Sequence, residues 1–274
     1  MTLTAHIQPT TILLATDGSP RAQAAAQGLT TWRLSSNSRV VVLTAAPLLQ
    51  IAPRADLYLE FRDRETREVN VALSQALATL GQSGIRAEPM IRCGRPADVI
   101  LGTAGEINAN MIVMGARSDT AEPGGPIGSV AHRIVKCARK PVLVIRPPAR
   151  NQRLLLATDG SPAAGKALDF LALWSWPRGV TVTVTHVCAA AEERARAQAI
   201  VDRAAARLRA ASLPADGYVA VGHPATEILE VAKQVKTDLI IVGARRLNAV
   251  QRILLGSVSS RVARFAPHSV LVVR

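Results

Sequence analysis

The chain has 274 residues, of which 49% are hydrophobic and only 3% aromatic, so it can bury aliphatic cores and does not have the composition of a disordered protein. Its formal net charge of +13 is spread evenly, with 17 basic and 11 acidic groups in residues 1–150 and 16 and 9 in the remainder. No basic tail or run of stacking aromatics accompanies this charge, which argues against nucleic-acid binding and leaves attraction to nucleotides and other anions as the milder inference.

Cysteine usage and the N-terminal residues indicate a cellular compartment. Cys93, Cys137 and Cys188 form neither a C-x-x-C pair nor an even disulfide set, which fits a reducing cytoplasm. The first residues lack the basic and apolar regions of a signal peptide, and no apolar run reaches the length of a membrane span. We therefore predict a soluble cytoplasmic protein without a membrane partner.

The first predicted strand, residues 11–16, is a short apolar run that ends at Asp17. Ser19 is placed to cap the following helix and Pro20 to occupy its first turn, where a missing N–H costs nothing. Residues 154–162 repeat this entry almost identically at an offset of 142, with Asp159 at the strand end. The chain therefore contains two copies of one strand–turn–helix unit.

Further strands and helices follow in the same order in both copies. Second strands are predicted at 39–45 and 180–187, mainly helical segments at 47–83 and 189–212, third strands at 85–91 and 216–221, and helices at 97–108 and 225–236. The first copy is longer by 14 residues in its helical segment, and we assign part of this length to a longer loop around 46–53.

Each copy then carries a glycine-containing loop between a fourth strand and a helix. Residues 111–115 are an apolar run ending in Gly115, and Gly128-Ser129 opens the next apolar-periodic segment. The arrangement recurs 128 residues later at 239–243 and 256–257. Such a loop directs free backbone N–H groups of a helix start outward, which is the geometry of an anion-binding site.

The helices after these loops have a regular apolar spacing. Val130, Ile134 and Cys137 are separated by four and then three residues, which predicts one helix face and a core position for Cys137. Val258, Val262 and Phe265 repeat the spacing. Fifth strands are predicted at 142–145 and 270–273, and two prolines make the linker at 147–152 short and stiff.

Alternation of strands and helices predicts an α/β fold of two tandem, doubly wound (Rossmann-like or flavodoxin-like) domains, each with a five-stranded parallel sheet. We assign the first domain to residues 1–146 and the second to 153–274, joined by 147–152. In such sheets ligands bind at the carboxyl ends of the strands, so the Asp17 loop and the Gly115–Gly128 loop should converge there.

These motifs resemble those of the universal stress protein family in its tandem form. The strand-Asp-Gly-Ser-Pro entry and the Gly-x2-Gly-x9-Gly-Ser loop carry the likeness, although the second glycine is Ser118 in one copy and Arg246 in the other. The resemblance implies the strand order 3-2-1-4-5 and a site for ATP or a related adenine nucleotide, with Mg²⁺ as a possible companion. It implies nucleotide contacts at Asp17, Ala45, Gly115, Ser118, Gly128, Ser129, Val130, Asp159, Val187, Gly243, Gly256, Ser257, Val258 and Ser259. An Asx-type turn is the alternative role for the two aspartates.

Three functions are compatible with these observations. The first is a nucleotide-binding stress-response module that signals without turnover; the second is an interaction scaffold that has lost nucleotide binding; the third is a slow ATPase, against which stands the lack of a Walker A lysine or a nucleophile–base pair at informative spacing. Because Arg246 is bulkier than Ser118, we expect the first site to tolerate nucleotide better than the second. We also expect the two halves to pair within the chain, and further pairing into a homodimer is possible.

Overall fold

A computed structural model of the chain describes residues 11–46, 55–116, 125–148, 150–244 and 256–274, with side chains in 55–82 described from residue 67 onward. The first half contains β1 (Thr11–Ala15), α1 (Pro20–Thr30), β2 (Arg39–Ala46), α2 (Ala55–Gln82), β3 (Ala87–Cys93), α3 (Pro96–Glu106), β4 (Met111–Gly115), α4 (Ser129–Cys137) and β5 (Val142–Ile145). The second half contains β6 (Arg153–Ala157), α5 (Pro162–Leu173), β7 (Thr181–Cys188), α6 (Arg194–Ala210), β8 (Ala215–Val221), α7 (Pro224–Gln234), β9 (Leu239–Gly243), α8 (Ser257–Phe265) and β10 (Ser269–Val273). The third strand of the first half thus begins two residues later than predicted.

The strands form one ten-stranded sheet in the order β3-β2-β1-β4-β5-β10-β9-β6-β7-β8. Each half contributes five parallel strands in the order 3-2-1-4-5, so the predicted fold class is confirmed. β5 and β10 pair antiparallel, with Val144 opposite Val270 and Val142 opposite Val272. We call this contact, together with the linker and the helices beside it, the seam.

The helices that follow the two Asp-Gly-Ser-Pro turns start as predicted from the sequence. Ser19 caps α1 by accepting a hydrogen bond from the N–H of Ala22, and Pro20 occupies the first helical position. Ser161 caps α5 in the same way through the N–H of Ala164. The predicted Ser-Pro helix starts are therefore present in both halves, and they fix where each helix begins after the strand.

The central strands are buried on both faces, which explains their continuous apolar sequences. Ile12 and Leu14 of β1 point into the cluster that contains Leu29 of α1, whereas Leu13 points to the opposite cluster with Ile134 of α4. Both clusters contain residues from the two halves. The strand ends are therefore held between two layers of helices.

The predicted core position of Cys137 is wrong, because its side chain is exposed. The buried face of α4 consists of Ala131, Ile134 and Val135, and it continues to Ala138. Residues 130 and 137 lie on one side of Ile134 around the helix, and residues 131, 135 and 138 lie on the other. The apolar spacing was compatible with either side, and small alanines packed against the sheet determine which one is buried. Phe265 of α8 is exposed for the same reason.

All three tryptophans of the chain meet at the seam. Trp32 follows α1 and Trp174 follows α5, and their rings pack edge to face with centroids 5.1 Å apart. Trp176 and Phe170 pack against the same pair. The linker joins this region through Asn151, whose buried amide donates to the Thr31 hydroxyl at 2.6 Å. Within the described ranges, no helix is both long enough and apolar enough to cross a membrane.

Candidate functional site

The first half has a cleft of about 170 Å³ where the carboxyl ends of β1 and β4 meet the N-terminus of α4. The strand order reverses between β1 and β4, so the cleft lies where doubly wound sheets bind ligands. Every described residue predicted for this site lines the cleft: Asp17, Ala45, Gly115, Gly128, Ser129 and Val130. Ser118 lies outside the described residues.

The second half has the corresponding cleft between β6, β9 and the N-terminus of α8, with a volume of about 260 Å³. It too brings together all of its predicted residues: Asp159, Val187, Gly243, Gly256, Ser257, Val258 and Ser259. Arg246 and the loop that follows it lie outside the described residues. The geometry brings both sets of residues together, and the nucleotide contacts assigned to them stay a prediction.

The aspartate at each strand end forms the turn that leads into the next helix. The Oδ1 atom of Asp17 accepts the N–H of Ser19 at 3.1 Å and its hydroxyl at 2.6 Å. Asp159 accepts the N–H of Ser161 at 2.9 Å. These are Asx-type contacts, so the structural role considered for the aspartates is present. Both carboxylates are exposed and border their clefts, which keeps them within reach of a ligand.

The helix that borders each cleft begins without a side-chain cap. Gly128 is the N-cap of α4 and Gly256 is the N-cap of α8, and neither position supplies a side-chain acceptor for the first backbone N–H groups. Those amides carry the positive end of the helix dipole toward the cleft. An anionic group in the cleft would accept hydrogen bonds from these N–H groups, as phosphates do at other helix N-termini.

Gly115 and Gly243 are glycines for a packing reason that the sequence did not reveal. A Cβ atom on Gly115 would lie 2.7 Å from the carbonyl oxygen of Arg21, and one on Gly243 would lie 2.2 Å from that of Ala163. Both partners are backbone atoms in the first turns of α1 and α5, which cannot yield as a side chain would. The glycines therefore hold the helix start against the strand end and shape the cleft between them.

Several residues that line the clefts were not predicted. Thr16 and Thr158 precede the aspartates and accept the N–H groups of Gly18 and Gly160, at 3.2 and 3.3 Å. Their signal was available, because the hexapeptide Ala-Thr-Asp-Gly-Ser-Pro occurs in both copies. The apolar walls carried no comparable signal in sequence: Ile100 and Met114 in the first cleft, Ile228 and Val242 in the second.

The walls of the two clefts differ at equivalent positions. Thr185 and Val242 of the second cleft replace the larger Leu43 and Met114 of the first, whereas Val187 and Ser259 replace the smaller Ala45 and Ala131. The Thr185 hydroxyl is buried and has no hydrogen-bond partner among the described residues. The second cleft thus offers more volume and an additional polar group in its wall.

Metal-binding side chains do not gather in the described part of either cleft. Over the described ranges, no group of three or more His, Cys, Asp or Glu residues is arranged to hold a metal ion.

Both halves match one protein family. Residues 9–146 and 150–274 each match the model of the universal stress protein family. The universal stress protein Rv1996 of Mycobacterium tuberculosis is 26% identical over 301 aligned positions, which cover 96% of this chain and 94% of the relative. The universal stress protein Slr1230 of Synechocystis sp. is 27% identical over 215 positions, covering 76% of this chain and 72% of the relative.

Solved structures show the same fold over the whole chain. The crystal structure of a universal stress protein from Archaeoglobus fulgidus DSM 4304 superposes with a TM-score of 0.78 at 22% sequence identity. The match covers 98% of this chain and 99% of that one. The fold of this chain is therefore similar, over nearly its whole length, to that of an experimentally determined structure.

Proposed function

Because the chain belongs to the universal stress protein family, which both of its halves match, we propose that it binds ATP or a related adenine nucleotide in its two clefts. We further propose that it acts in the cytoplasm as a stress-response regulatory module, in which nucleotide occupancy rather than turnover is the signal. Mg²⁺ would accompany the nucleotide, coordinated mainly by phosphate oxygens.

The observation that carries this proposal is the convergence of independent sequence motifs at one point in each half. The aspartate turn, the end of the second strand and the glycine loop lie far apart in sequence, and all of them border one cleft. The uncapped first turns of α4 and α8 supply amide donors suited to phosphate oxygens. Apolar wall residues such as Ile100 and Ile228 supply surface suited to a base.

We propose that the second cleft binds the nucleotide with higher affinity than the first. The expectation from the loops favoured the first cleft, but Ser118 and Arg246 lie outside the described residues. The described walls favour the second cleft, which is larger and carries the buried Thr185 hydroxyl. A ligand atom that satisfies this hydroxyl would remove the penalty of leaving it unpaired, about 1–3 kcal/mol.

Native mass spectrometry of protein purified without added ligand tests for a bound nucleotide and reports its stoichiometry. We expect an adenine nucleotide to remain with the protein. Calorimetric titration with ATP then compares Gly256→Val and Gly128→Val, and we expect the first substitution to remove the larger share of the binding heat. Both glycines have ordinary negative φ angles, so valine is compatible with the backbone at either position.

Gly102→Val is the matched control, because Gly102 is exposed in α3 and a Cβ there meets nothing within 4 Å. It should leave the titration unchanged. Loss of binding heat in Gly128→Val alone would support the order of affinity expected from Ser118 and Arg246, with the first cleft binding more strongly. If the unmodified protein carries no copurified nucleotide and gives no binding heat, the proposal is overturned in favour of an interaction scaffold. Phosphate release that disappears in the double valine variant would instead make the protein an ATPase.

A further inference from the structure

A cavity of about 310 Å³ lies at the seam and shares no lining residue with either cleft. It is bordered by the end of β5 with the following prolines, and by the amino ends of β6, β9 and β10 together with the end of α7. The second cleft opens at the carboxyl ends of β6 and β9, so the cavity lies at the opposite edge of the sheet from that cleft. The first cleft opens at the carboxyl ends of β1 and β4, on the edge where β5 also ends, and none of its lining residues lines the cavity. A ligand here would therefore be distinct from one bound in either cleft.

Positive charge dominates the walls of this seam cavity. Arg146, Arg153, Lys233 and Lys236 line it, against the single carboxylate of Asp238. With His268 counted as neutral, four cations and one anion leave an excess of three positive charges. A concave surface with charge of one sign concentrates the field and attracts counter-ions.

The carboxylate has a structural role that accounts for its presence. Asp238 accepts the backbone N–H groups of Gln152 and Arg153 at 3.1 and 2.8 Å, and it contacts the Arg153 guanidinium at 3.6 Å. It thereby anchors the start of β6 beside β9. This carboxylate interacts with the start of β6 and with one arginine. It therefore does not compensate the charges of Lys233 and Lys236.

Two buried polar atoms at the cavity wall are unsatisfied. Thr237 is only 3% exposed, and its hydroxyl has no hydrogen-bond partner among the described residues. The same holds for the buried Nδ1 atom of His268. A buried polar group left unpaired costs about 1–3 kcal/mol, so its presence at a cavity indicates that a ligand or water completes it.

The first half provides an internal comparison, because the same fold is built there from neutral residues. At the positions of Lys233, Lys236, Thr237, Asp238 and Arg153 the first half has Gly105, Asn108, Ala109, Asn110 and Thr11. Asn110 accepts the N–H of Thr11 at 3.0 Å, just as Asp238 accepts that of Arg153. Helix α3 ends without a basic residue in its last turn. The lysines of the second half are therefore not needed to complete a helix end or a strand start.

We propose that the seam cavity binds a multiply charged oxyanion of the phosphate class. Its oxygens would accept hydrogen bonds from Thr237 and the lysine ammonium groups and would balance the excess positive charge. The ligand would contact Arg146 at the end of the first half and Lys236 in the second, and would thereby strengthen the seam. The source of the oxyanion is either free phosphate or pyrophosphate, or the phosphoryl group of a metabolite.

The test is a titration of ¹⁵N-labelled protein with pyrophosphate, followed by backbone amide shifts in NMR spectra. We expect saturable shifts at residues 236–238 and 268–269. The variant Lys236→Asn/Thr237→Ala restores the residues of the first half, and asparagine suits the positive φ of 51° at position 236. We expect it to bind at least about tenfold more weakly, since hydrogen bonds to a charged ligand are lost.

Lys166→Gln removes one exposed positive charge from α5 and is the control for general electrostatics. Equal weakening in this control, or no saturable shifts near 236–238, would overturn the proposal. Shifts confined to Gly128 and Gly256 would also overturn it, while leaving the nucleotide clefts in place. If the double variant does not fold, Arg153→Thr provides the same comparison. Parallel titrations with orthophosphate and a sugar phosphate identify the source by which of them binds more tightly.

Discussion

At the scale of single residues, the glycines at the ends of β4 and β9 have the clearest physical constraint. A Cβ atom at position 115 would lie 2.7 Å from the carbonyl oxygen of Arg21, so Gly115→Ala must push α1 away from the strand end. We expect the substitution to lower the free energy of unfolding by about 1–3 kcal/mol, and Gly243→Ala to cost more because its contact is 2.2 Å. Urea unfolding measures both.

Gly102→Ala is the control for this comparison, because the position is helical and open. Replacing glycine by alanine inside a helix stabilises it by about 0.5–1 kcal/mol. An unchanged unfolding midpoint in Gly115→Ala would show that the first turn of α1 yields at little cost.

His268 predicts a pH dependence of stability. Burial lowers the pKa of this imidazole below its ordinary value of 6.5; nearby Asp238 acts in the opposite direction, and Arg146 lowers the pKa further. The unfolded chain therefore takes up the proton first, and stability falls as the pH drops below 6.5 until it reaches the folded-state pKa. We expect His268→Gln to lose less stability than the unmodified protein between about pH 7 and pH 5.

Urea unfolding in phosphate-free buffer across this pH range gives the comparison. His223→Gln is the control, since His223 is exposed at the start of α7 and should retain the pH dependence of the unmodified protein. The same slope in both variants would remove His268 as the cause.

At the scale of elements, an aromatic pair joins the two halves just beyond the ends of α1 and α5. Trp32 and Trp174 are equivalent residues of the two halves, are almost fully buried, and pack edge to face. We expect Trp32→Leu to destabilise the protein by about 2–4 kcal/mol, because it leaves a cavity and removes an aromatic contact. Urea unfolding followed by circular dichroism measures the loss.

Tyr218→Leu is the matched surface substitution, because Tyr218 is 41% exposed on the edge strand β8. It should change the unfolding free energy by at most about 0.5 kcal/mol. A similar loss in both variants would mean that the tryptophan pair contributes little beyond general burial.

At the scale of the whole molecule, we predict that the two halves form one compact body in solution with pseudo-twofold symmetry. The antiparallel β5–β10 pair covers two apolar strand edges that would otherwise be open to other chains. Small-angle scattering should give a radius of gyration of about 19 Å for a single body of this length. Two lobes that move independently would contradict the prediction. Native mass spectrometry measures further pairing into a homodimer, for which the edge strands β3 and β8 are the available edges.

Local sequence determined those features that depend on residues close together in the chain. Apolar runs, the Ser-Pro helix starts and the repeated motifs were sufficient to predict strands, helices and the tandem α/β organisation. The rule that parallel sheets bind ligands at their carboxyl ends then brought Asp17 and Gly128 to one cleft, and Asp159 and Gly256 to the other. The strands and helix starts could be predicted because each depends on one local segment, and the convergence followed from the common direction of parallel strands.

Only the tertiary structure decided features that depend on contacts between distant segments. Which side of α4 is buried, and therefore the exposure of Cys137, follows from how closely Ala131 and Ala138 approach the sheet. The packing role of Gly115 requires the backbone of α1. The seam cavity exists because β5, β6, β10 and α7 meet there, and no local pattern relates Arg146 to Lys236. Sequence periodicity describes one element at a time, whereas burial and charge clustering are properties of elements packed together.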